Sequence, residues 1–409
     1  MRIRDGRNGA AVAAACMQGS GGHFVSGRVS ALVVLTALCC PSAWAIGPYT
    51  ITDLGTLGGT WSRANGINNA GQVVGCATSV ATDFSGWEGG PHAFLYSDGV
   101  MTDLGTLQGD SREVGSCAHA INGQGQIAGQ SQVPFGDHAF LYSDGVMTDL
   151  GTLGGSFSKP KDLNDAGQVV GVATRGDQSD RAFLYSEGSM TDLGTAEGFL
   201  SAAFAINNSG QVVGGGWGLT SVPPLPHAFL YQHRVLTDLG TLGGSTSNAS
   251  DINDAGQIVG SAQLPGDAVE HAFIYENGVM TDLSPVIGEN NRVKRITNTG
   301  MMLISGPGEG GQTEQSFLYK KGVVVNLLNL LPPDSGWSRL QAEAINDSGQ
   351  IVGQGFFENH SRAFLMTPAS LCAPDGVQAS GSIYRICMPA PADFNGDLVI
   401  LAHGFQDAG

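Results

Sequence analysis

Apolar residues along this chain fall in short runs separated by glycine, asparagine and aspartate, and the runs recur in a fixed order. One copy reads as an Ile-Asn-x-x-Gly turn, a Gln-Val-Val-Gly run, a His-Ala-Phe-Leu-Tyr run and a Met-Thr-Asp-Leu-Gly run. Short runs rich in Val, Ile, Phe, Tyr and Thr, bounded by turn residues, predict β-strands joined by hairpins. Asp98-Gly99, Asp144-Gly145 and Asn277-Gly278 stand between the third and fourth runs, where a tight hairpin needs residues that tolerate positive φ. The repeat shows no helical period.

The Ile-Asn phrase falls at Asn68, Asn122, Asn164, Asn207, Asn253, the diverged Thr297 and Asn346. The Ala-Phe phrase falls at Phe94, Phe140, Phe183, Phe229, Phe273, Phe317 and Phe364, so each has seven copies, about 46 residues apart. Four strands in a unit of that length have the size of a propeller blade. The Thr-Asp-Leu phrase supplies a second argument. Its copies lie at Asp53, Asp103, Asp149, Asp192, Asp238, Asp282 and, with asparagine in the slot, Asn326, so the first precedes the first Ile-Asn phrase. The last unit, ending near Met366, has no fourth strand of its own. A strand at about 50–56 that completes it would pair the two chain ends and leave no open sheet edge. A solenoid would instead need polar caps, and neither end offers one. The expected fold is therefore all-β, a seven-bladed β-propeller over residues 46–367 closed by an N-terminal strand.

These phrases resemble the HAF-type extracellular repeat family, on His-Ala-Phe at 92–94, 138–140, 227–229 and 271–273. The resemblance covers roughly residues 50–366 and implies an exported repeat protein, with no activity to carry over. The sixth unit departs most, with Thr297 for Asn and Met301-Met302-Leu303-Ile304 for Gln-Val-Val, which predicts a distorted blade.

The histidines heading the third run invite a metal or catalytic reading. The same slot holds Arg181, Gln315 and Arg362 elsewhere, so the shared property is hydrogen-bond donation. Eleven residues on comes an acidic slot: His92 with Asp103, His138 with Asp149, Arg181 with Asp192, His227 with Asp238, His271 with Asp282. Where the donor is neutral Gln315, the partner is neutral Asn326. This co-variation predicts a structural side-chain pair across neighbouring strands, and neither a metal nor a cofactor is expected.

Trp87 and Trp217 lie in connections from the second to the third strand, and Trp61 and Trp337 in connections from one unit to the next. In a propeller both kinds emerge on one face. These four are candidates for an aromatic ligand-binding face suited to a glycan or peptide; the alternative is that each caps the hydrophobic edge of a blade.

Composition bears on location and partners. A basic stretch ends at Arg28, an apolar run spans Ala31 to Leu38, and Ala43-Trp44-Ala45 is a small-x-small cleavage signal, so residues 1–45 read as a signal peptide, starting at Met1 or Met17. An extracellular or periplasmic, monomeric product is expected, and no later segment is apolar enough to span a membrane. The remainder carries 15 basic and 35 acidic residues, a formal charge of −20, which disfavours nucleic acid as a partner. Four cysteines remain. Cys372 and Cys387 are the expected disulfide, whereas Cys76 and Cys117 could bridge neighbouring blades or stay as buried thiols.

Composition shifts at Pro368. The tail, residues 368–409, resembles the opening of a secreted α/β-hydrolase: an apolar strand, Leu398-Val399-Ile400-Leu401-Ala402, runs into His403-Gly404-Phe405, the position of an oxyanion-hole turn. No Gly-x-Ser-x-Gly nucleophile elbow occurs within the 409 residues. Two functions are thus in contention: a non-catalytic extracellular binding module, and the N-terminal part of a truncated secreted esterase or peptidase.

Overall fold

The computed structural model describes residues 47–79, 90–109, 114–194, 201–217, 225–266, 269–307 and 314–369, with strand pieces at 371–372, 376–377, 383–384 and 387–388. The segment 1–45, Trp87, the side chain of Trp217 and the turn His403-Gly404-Phe405 lie outside the described residues. The described chain is almost wholly β, its helical segments being single turns at Ser284–Ile287 and Leu327–Leu330. None of its helices is long and apolar enough to cross a membrane.

The four phrases of a repeat become four antiparallel strands. In the first repeat these are Ser62–Ile67, Val73–Ala77, His92–Ser97 and Val100–Asp103, paired in chain order. The same arrangement runs from Ser201–Ile206 to Val235–Asp238, from Ser247–Ile252 to Val279–Asp282, and from Arg292–Ile296 to Val323–Asn326. The second and third repeats, which begin at Ser116–Ile121 and Gly154–Leu163, are joined by one parallel bridge between Asp137 and Phe157 into an eight-stranded sheet. Trp337–Ile345, Ile351–Phe357 and His360–Pro368 take Tyr49–Asp53, from the other end of the chain, as their fourth strand. Asp53 lies opposite Phe364, the register that Asp103 keeps with Phe94 inside the first repeat. The hairpins have the expected chemistry: Asp98 and Gly99 take φ of 53° and 83°, Asp144 and Gly145 52° and 82°.

Hydrophobic clusters fill the spaces between successive sheets. One joins Val74 and Ala93 of the first repeat to Ala118, Ile127 and Phe140 of the second; another joins Ala344, Val352 and Ala363 of the last to Ala64, Val73 and Phe94 of the first. The phenylalanine of His-Ala-Phe is fully buried at Phe94, Phe140, Phe183, Phe229, Phe273 and Phe364. It seats over the glycine of Gln-Val-Val-Gly on the paired strand. A Cβ on Gly129 would stand 2.4 Å from Phe140 Cζ, and one on Gly260 2.8 Å from the Phe273 ring, so only glycine leaves room. In the sixth repeat Ile304 replaces that glycine and is itself fully buried, and Phe317 is only partly buried. The change is confined to this packing: against the expectation of a distorted blade, the repeat keeps the four-strand order and antiparallel register of the others.

A disulfide joins Cys76, on the second strand of the first repeat, to Cys117, on the first strand of the second. Of the two states left open for these cysteines, the structure has the bridge between neighbouring repeats. Cys372 and Cys387 lie directly opposite each other in a two-stranded pairing, and their side chains are outside the described residues.

Candidate functional site

The asparagines of the Ile-Asn phrase form a chain of bonds from sheet to sheet. Asn68 Nδ2 donates to the carbonyl of Asn122, Asn122 to Asn164, Asn164 to Asn207, Asn207 to Asn253 and Asn253 to Thr297, at 2.9–3.1 Å, and Asn346 returns to Asn68 at 3.0 Å. Each of these asparagines also donates to a glutamine four residues later, as Asn68 does to Gln72 at 2.8 Å, and its Oδ1 accepts that glutamine's backbone N–H. Thr297 has Met301 in the glutamine's place and uses its hydroxyl to accept the Met301 N–H. One position later a second set runs beside the first. Backbone N–H groups of Asp165, Asn208, Asp254, Asn298 and Asp347 donate to the side-chain oxygens of Asn208, Asp254, Asn298, Asp347 and Asn69 respectively. These residues line one end of a central cavity, beneath a layer of Ile67, Ile121, Leu163, Ile206, Ile252, Ile296 and Ile345. That end is bonded to itself, and its polar groups act as structure.

The other end differs. The first strand of each repeat alternates buried core positions with partly exposed ones, and a bulge near its end shifts the alternation. Five and three residues before the Ile-Asn asparagine lie positions of this strand from which Lys161, Phe204, Asn248, Ser250, Arg292, Lys294 and Glu343 line the cavity. These positions hold Arg63, Lys159 and Arg292 with Asn248 and Gln341, then Lys161 and Lys294 with Asn65, His119, Phe204, Ser250 and Glu343. Part of this cup, between Lys161, Phe204, Asn248, Lys294, Arg295 and Glu343, encloses about 320 Å³.

Its charges are unevenly compensated. Glu343 pairs with Arg63 NH2 at 2.7 Å and with Lys294 Nζ at 2.9 Å, and Glu270 pairs with Arg292 at 2.9 Å. Lys159 and Lys161 make no hydrogen bond or ion pair among the described residues; Lys161 Nζ stands 5.9 Å over the Phe204 ring. Desolvation, and then Arg63 for Lys159 and Lys159 for Lys161, hold both ammonium groups below the ordinary lysine value. Desolvation, with Lys159 and Lys161 adding repulsion, pushes His119 down to about 3. It is therefore neutral, 3.4 Å from Gln130 Oε1. Asp162 and Asp251 accept the N–H of Ile206 and Ile296 in the next sheet. Desolvation lifts both, Asp162 to about 7, against the pull of Arg295.

The four expected His-Asp pairs across the third and fourth strands are present, but the expected pair of Arg181 with Asp192 is not formed. Nδ1 of His92, His138, His227 and His271 lies 2.8–2.9 Å from Oδ2 of Asp103, Asp149, Asp238 and Asp282. Gln315 and Asn326 also pair, but with the expected roles reversed: Asn326 Nδ2 donates to Gln315 Oε1. Across the chain termini Arg362 Nε reaches Asp53 Oδ2 at 4.0 Å. Each aspartate also caps a following backbone N–H, that of Gly105 for Asp103 and Gly240 for Asp238. The charged partner of Asp192 is Arg175, at 3.8 Å, while Arg181 donates to the carbonyl of Asp180. No cluster of three or more metal-ligating side chains is formed among the described residues.

No protein-family model matches the sequence, and no curated protein matches it. Among solved structures, the β-propeller domain of the Trilobed protease from Pyrococcus furiosus superposes with a TM-score of 0.52 at 8% identity, over 75% of this chain and 95% of that one. The acylaminoacyl peptidase of Pyrococcus horikoshii gives 0.49 at 11% identity, over 74% of this chain and 52% of that one. The fold is a β-propeller.

In this propeller the cup opens at the end where the strand-two-to-three connections and the connections between repeats emerge, the face to which the tryptophans were assigned. Trp61 is half-buried there. Trp337 is not a surface residue: it is 8% exposed, stacks on Phe357 with ring centres 4.9 Å apart, and meets Phe364 edge-on. As a ligand-binding candidate it is corrected to a core residue, because the cluster around Leu340, Ile351 and Phe364 closes over it. The cationic cup escaped the sequence reading, since its residues are scattered over the chain. Aligning the repeats on the Ile-Asn phrase would have exposed it, because Arg63, Lys159 and Arg292 share one phase and Lys161 and Lys294 another.

Proposed function

We propose that this chain is an exported seven-bladed β-propeller of the HAF type, its last blade completed by the N-terminal strand, which binds an extracellular ligand without transforming it. The return of the asparagine bonds from Asn346 to Asn68 and the pairing of Tyr49–Asp53 with His360–Pro368 support the closed ring. The observation that carries the binding role is the open cup, lined by Lys161 with Lys159 nearby, neither of which has an ion-pair partner among the described residues. Loops on a rigid scaffold are where propellers place recognition. The His-Asp pairs do not point to catalysis, because each aspartate is spent on a histidine and a turn N–H.

The test is to screen the full chain against glycan, peptide and small-molecule libraries and to recover whatever it retains. The expected result is a ligand returned chemically unchanged, and a ligand recovered cleaved or hydrolysed would overturn the reading. The second reading, a propeller in front of an esterase or peptidase domain, draws on the pattern from Leu398 to Phe405. Reading the gene beyond codon 409 separates the two: an in-frame or frameshifted nucleophile elbow favours the hydrolase.

A further inference from the structure

We infer that the cup is a binding site for a small polyanion, a molecule with two or more carboxylate or phosphate groups, held by Arg63, Lys159, Lys161 and Lys294. This rests on the binding role proposed above and names the chemistry of the ligand.

Cations are scarce in this chain, and the fold gathers them. Of the 15 basic residues after position 45, Arg63, Lys159, Lys161, Arg292, Lys294 and Arg295 come from the first strands of three repeats. Lys161, Arg292, Lys294 and Arg295 line one cavity, Arg63 joins it through Glu343 on its wall, and Lys159 stands within electrostatic reach of Arg63 and Lys161. The opposing carboxylates are fewer and, except for Asp137 near Lys159, already engaged. Glu343 is shared by Arg63 and Lys294, Glu270 serves Arg292, and Asp162 and Asp251 face Arg295 and backbone N–H groups of the next sheet.

Structural bracing accounts for the paired cations but not for Lys159, which is repelled by Arg63 more than it is attracted by Asp137, nor for Lys161, which is repelled by Lys159 and Arg295. The buried Nε–H of Arg63 also lacks an acceptor among the described residues. Unpaired cations in a desolvated wall lower stability, so glutamine would serve the fold better. An incoming oxyanion reverses that balance: charge-assisted hydrogen bonds are roughly twice as strong as neutral ones, and a cleft lined by one sign of charge concentrates the opposite ion. About 320 Å³ admits a small molecule rather than a folded partner. Asn248 and Ser250 on the cavity wall can supply neutral hydrogen bonds around the charges, and Phe204 an apolar face.

The experiment titrates the full chain calorimetrically with digalacturonate, which sets carboxylates on a sugar frame, and with pyrophosphate, which has no apolar surface. At least one is expected to bind, with affinity falling as salt rises from low to high ionic strength. Preference for digalacturonate identifies an acidic saccharide, and preference for pyrophosphate a phosphorylated ligand. The K159Q/K161Q double variant is expected to fold with an equal or higher melting temperature and to bind at least about tenfold more weakly, roughly 1.4 kcal/mol. K321Q, in an exposed hairpin turn, is expected to bind as the parent does. Failure of both probes to bind overturns the inference, as does unchanged binding by a folded K159Q/K161Q. In the latter case the ligand sits elsewhere and the general binding role survives.

Discussion

Asn346 donates its side-chain amide to the main-chain carbonyl of Asn68, 3.0 Å away in space and 278 residues earlier in the chain. The bond repeats the one that Asn68 makes to Asn122, but it alone in the series links the last repeat to the first. Replacing Asn346 with alanine leaves the amide oxygen of Gln350 without its donor and the Gln350 N–H without its acceptor, and leaves the Asn68 carbonyl with the Gly71 N–H alone. A loss of about 1–3 kcal/mol is expected, since buried polar groups left unpaired cost that much. Urea unfolding of N346A measures it, and a midpoint equal to the parent's would show that the bond does not hold the first and last repeats together.

The His-Asp pairs are expected to serve stability and not binding. Asp238 bonds His227 Nδ1 at 2.8 Å and the Gly240 N–H at 2.8 Å, so Asp238→Ala should cost about 1–3 kcal/mol. Its melting temperature should fall while its affinity for a bound ligand stays level. Burial opposes ionisation of Asp103, yet the His92 hydrogen bond and the Gly105 N–H hold it below the ordinary 3.8. With the folded value depressed, the stabilisation is present above pH 3.8 and disappears as pH falls through the lower folded value. A D103N variant should therefore lose less stability than the parent on acidification below about pH 4.

Asp162 gives the opposite dependence. Desolvation raises it to about 7 in the folded chain, against 3.8 when free, so between those values the native state holds a proton that the unfolded chain has released. Its contribution to stability therefore grows as pH falls from 7 towards 4. His119, lowered to about 3 by desolvation and by Lys159 and Lys161, works against this below pH 6.5, because the unfolded histidine takes up a proton there. Comparing unfolding midpoints of D162N and the parent from pH 7.5 to 4.5 isolates the first effect. The parent should gain on the variant as the solution is acidified, and parallel curves would refute the assignment.

Reduction of Cys76–Cys117 should weaken the contact between the first two repeats. The bridge closes a loop of 41 residues, and a C76S/C117S variant is expected to lose about 2–4 kcal/mol. Thermal unfolding with and without reductant checks this: the parent should approach the variant when reduced, and the variant should not respond.

Much of the fold was legible because each strand carries a local signal. Asp98-Gly99 specifies its hairpin whatever surrounds it, and the glycine before Cys76 and the phenylalanine at 94 announce their strands by pattern alone. The pairing of His92 with Asp103 could be read from Gln315 and Asn326, since the residues of the two slots changed together eleven positions apart, although the direction of the Gln315–Asn326 bond could not. Trp337 could not be placed that way. Whether a loop tryptophan faces solvent or packs on Phe357 depends on residues twenty and more positions further on.

Alternation and turn chemistry are properties of neighbouring residues, so the sequence by itself determined the strands, the repeat and the early Thr-Asp-Leu strand that pairs with His360–Pro368. Only the tertiary structure decided which side chains meet around the axis. Arg63, Lys159, Lys161 and Lys294 lie on three repeats, up to 231 positions apart in an acidic chain, and become one cationic cup because their strands stand side by side. Electrostatic interaction depends on distance through space, which the order of residues along a chain does not record.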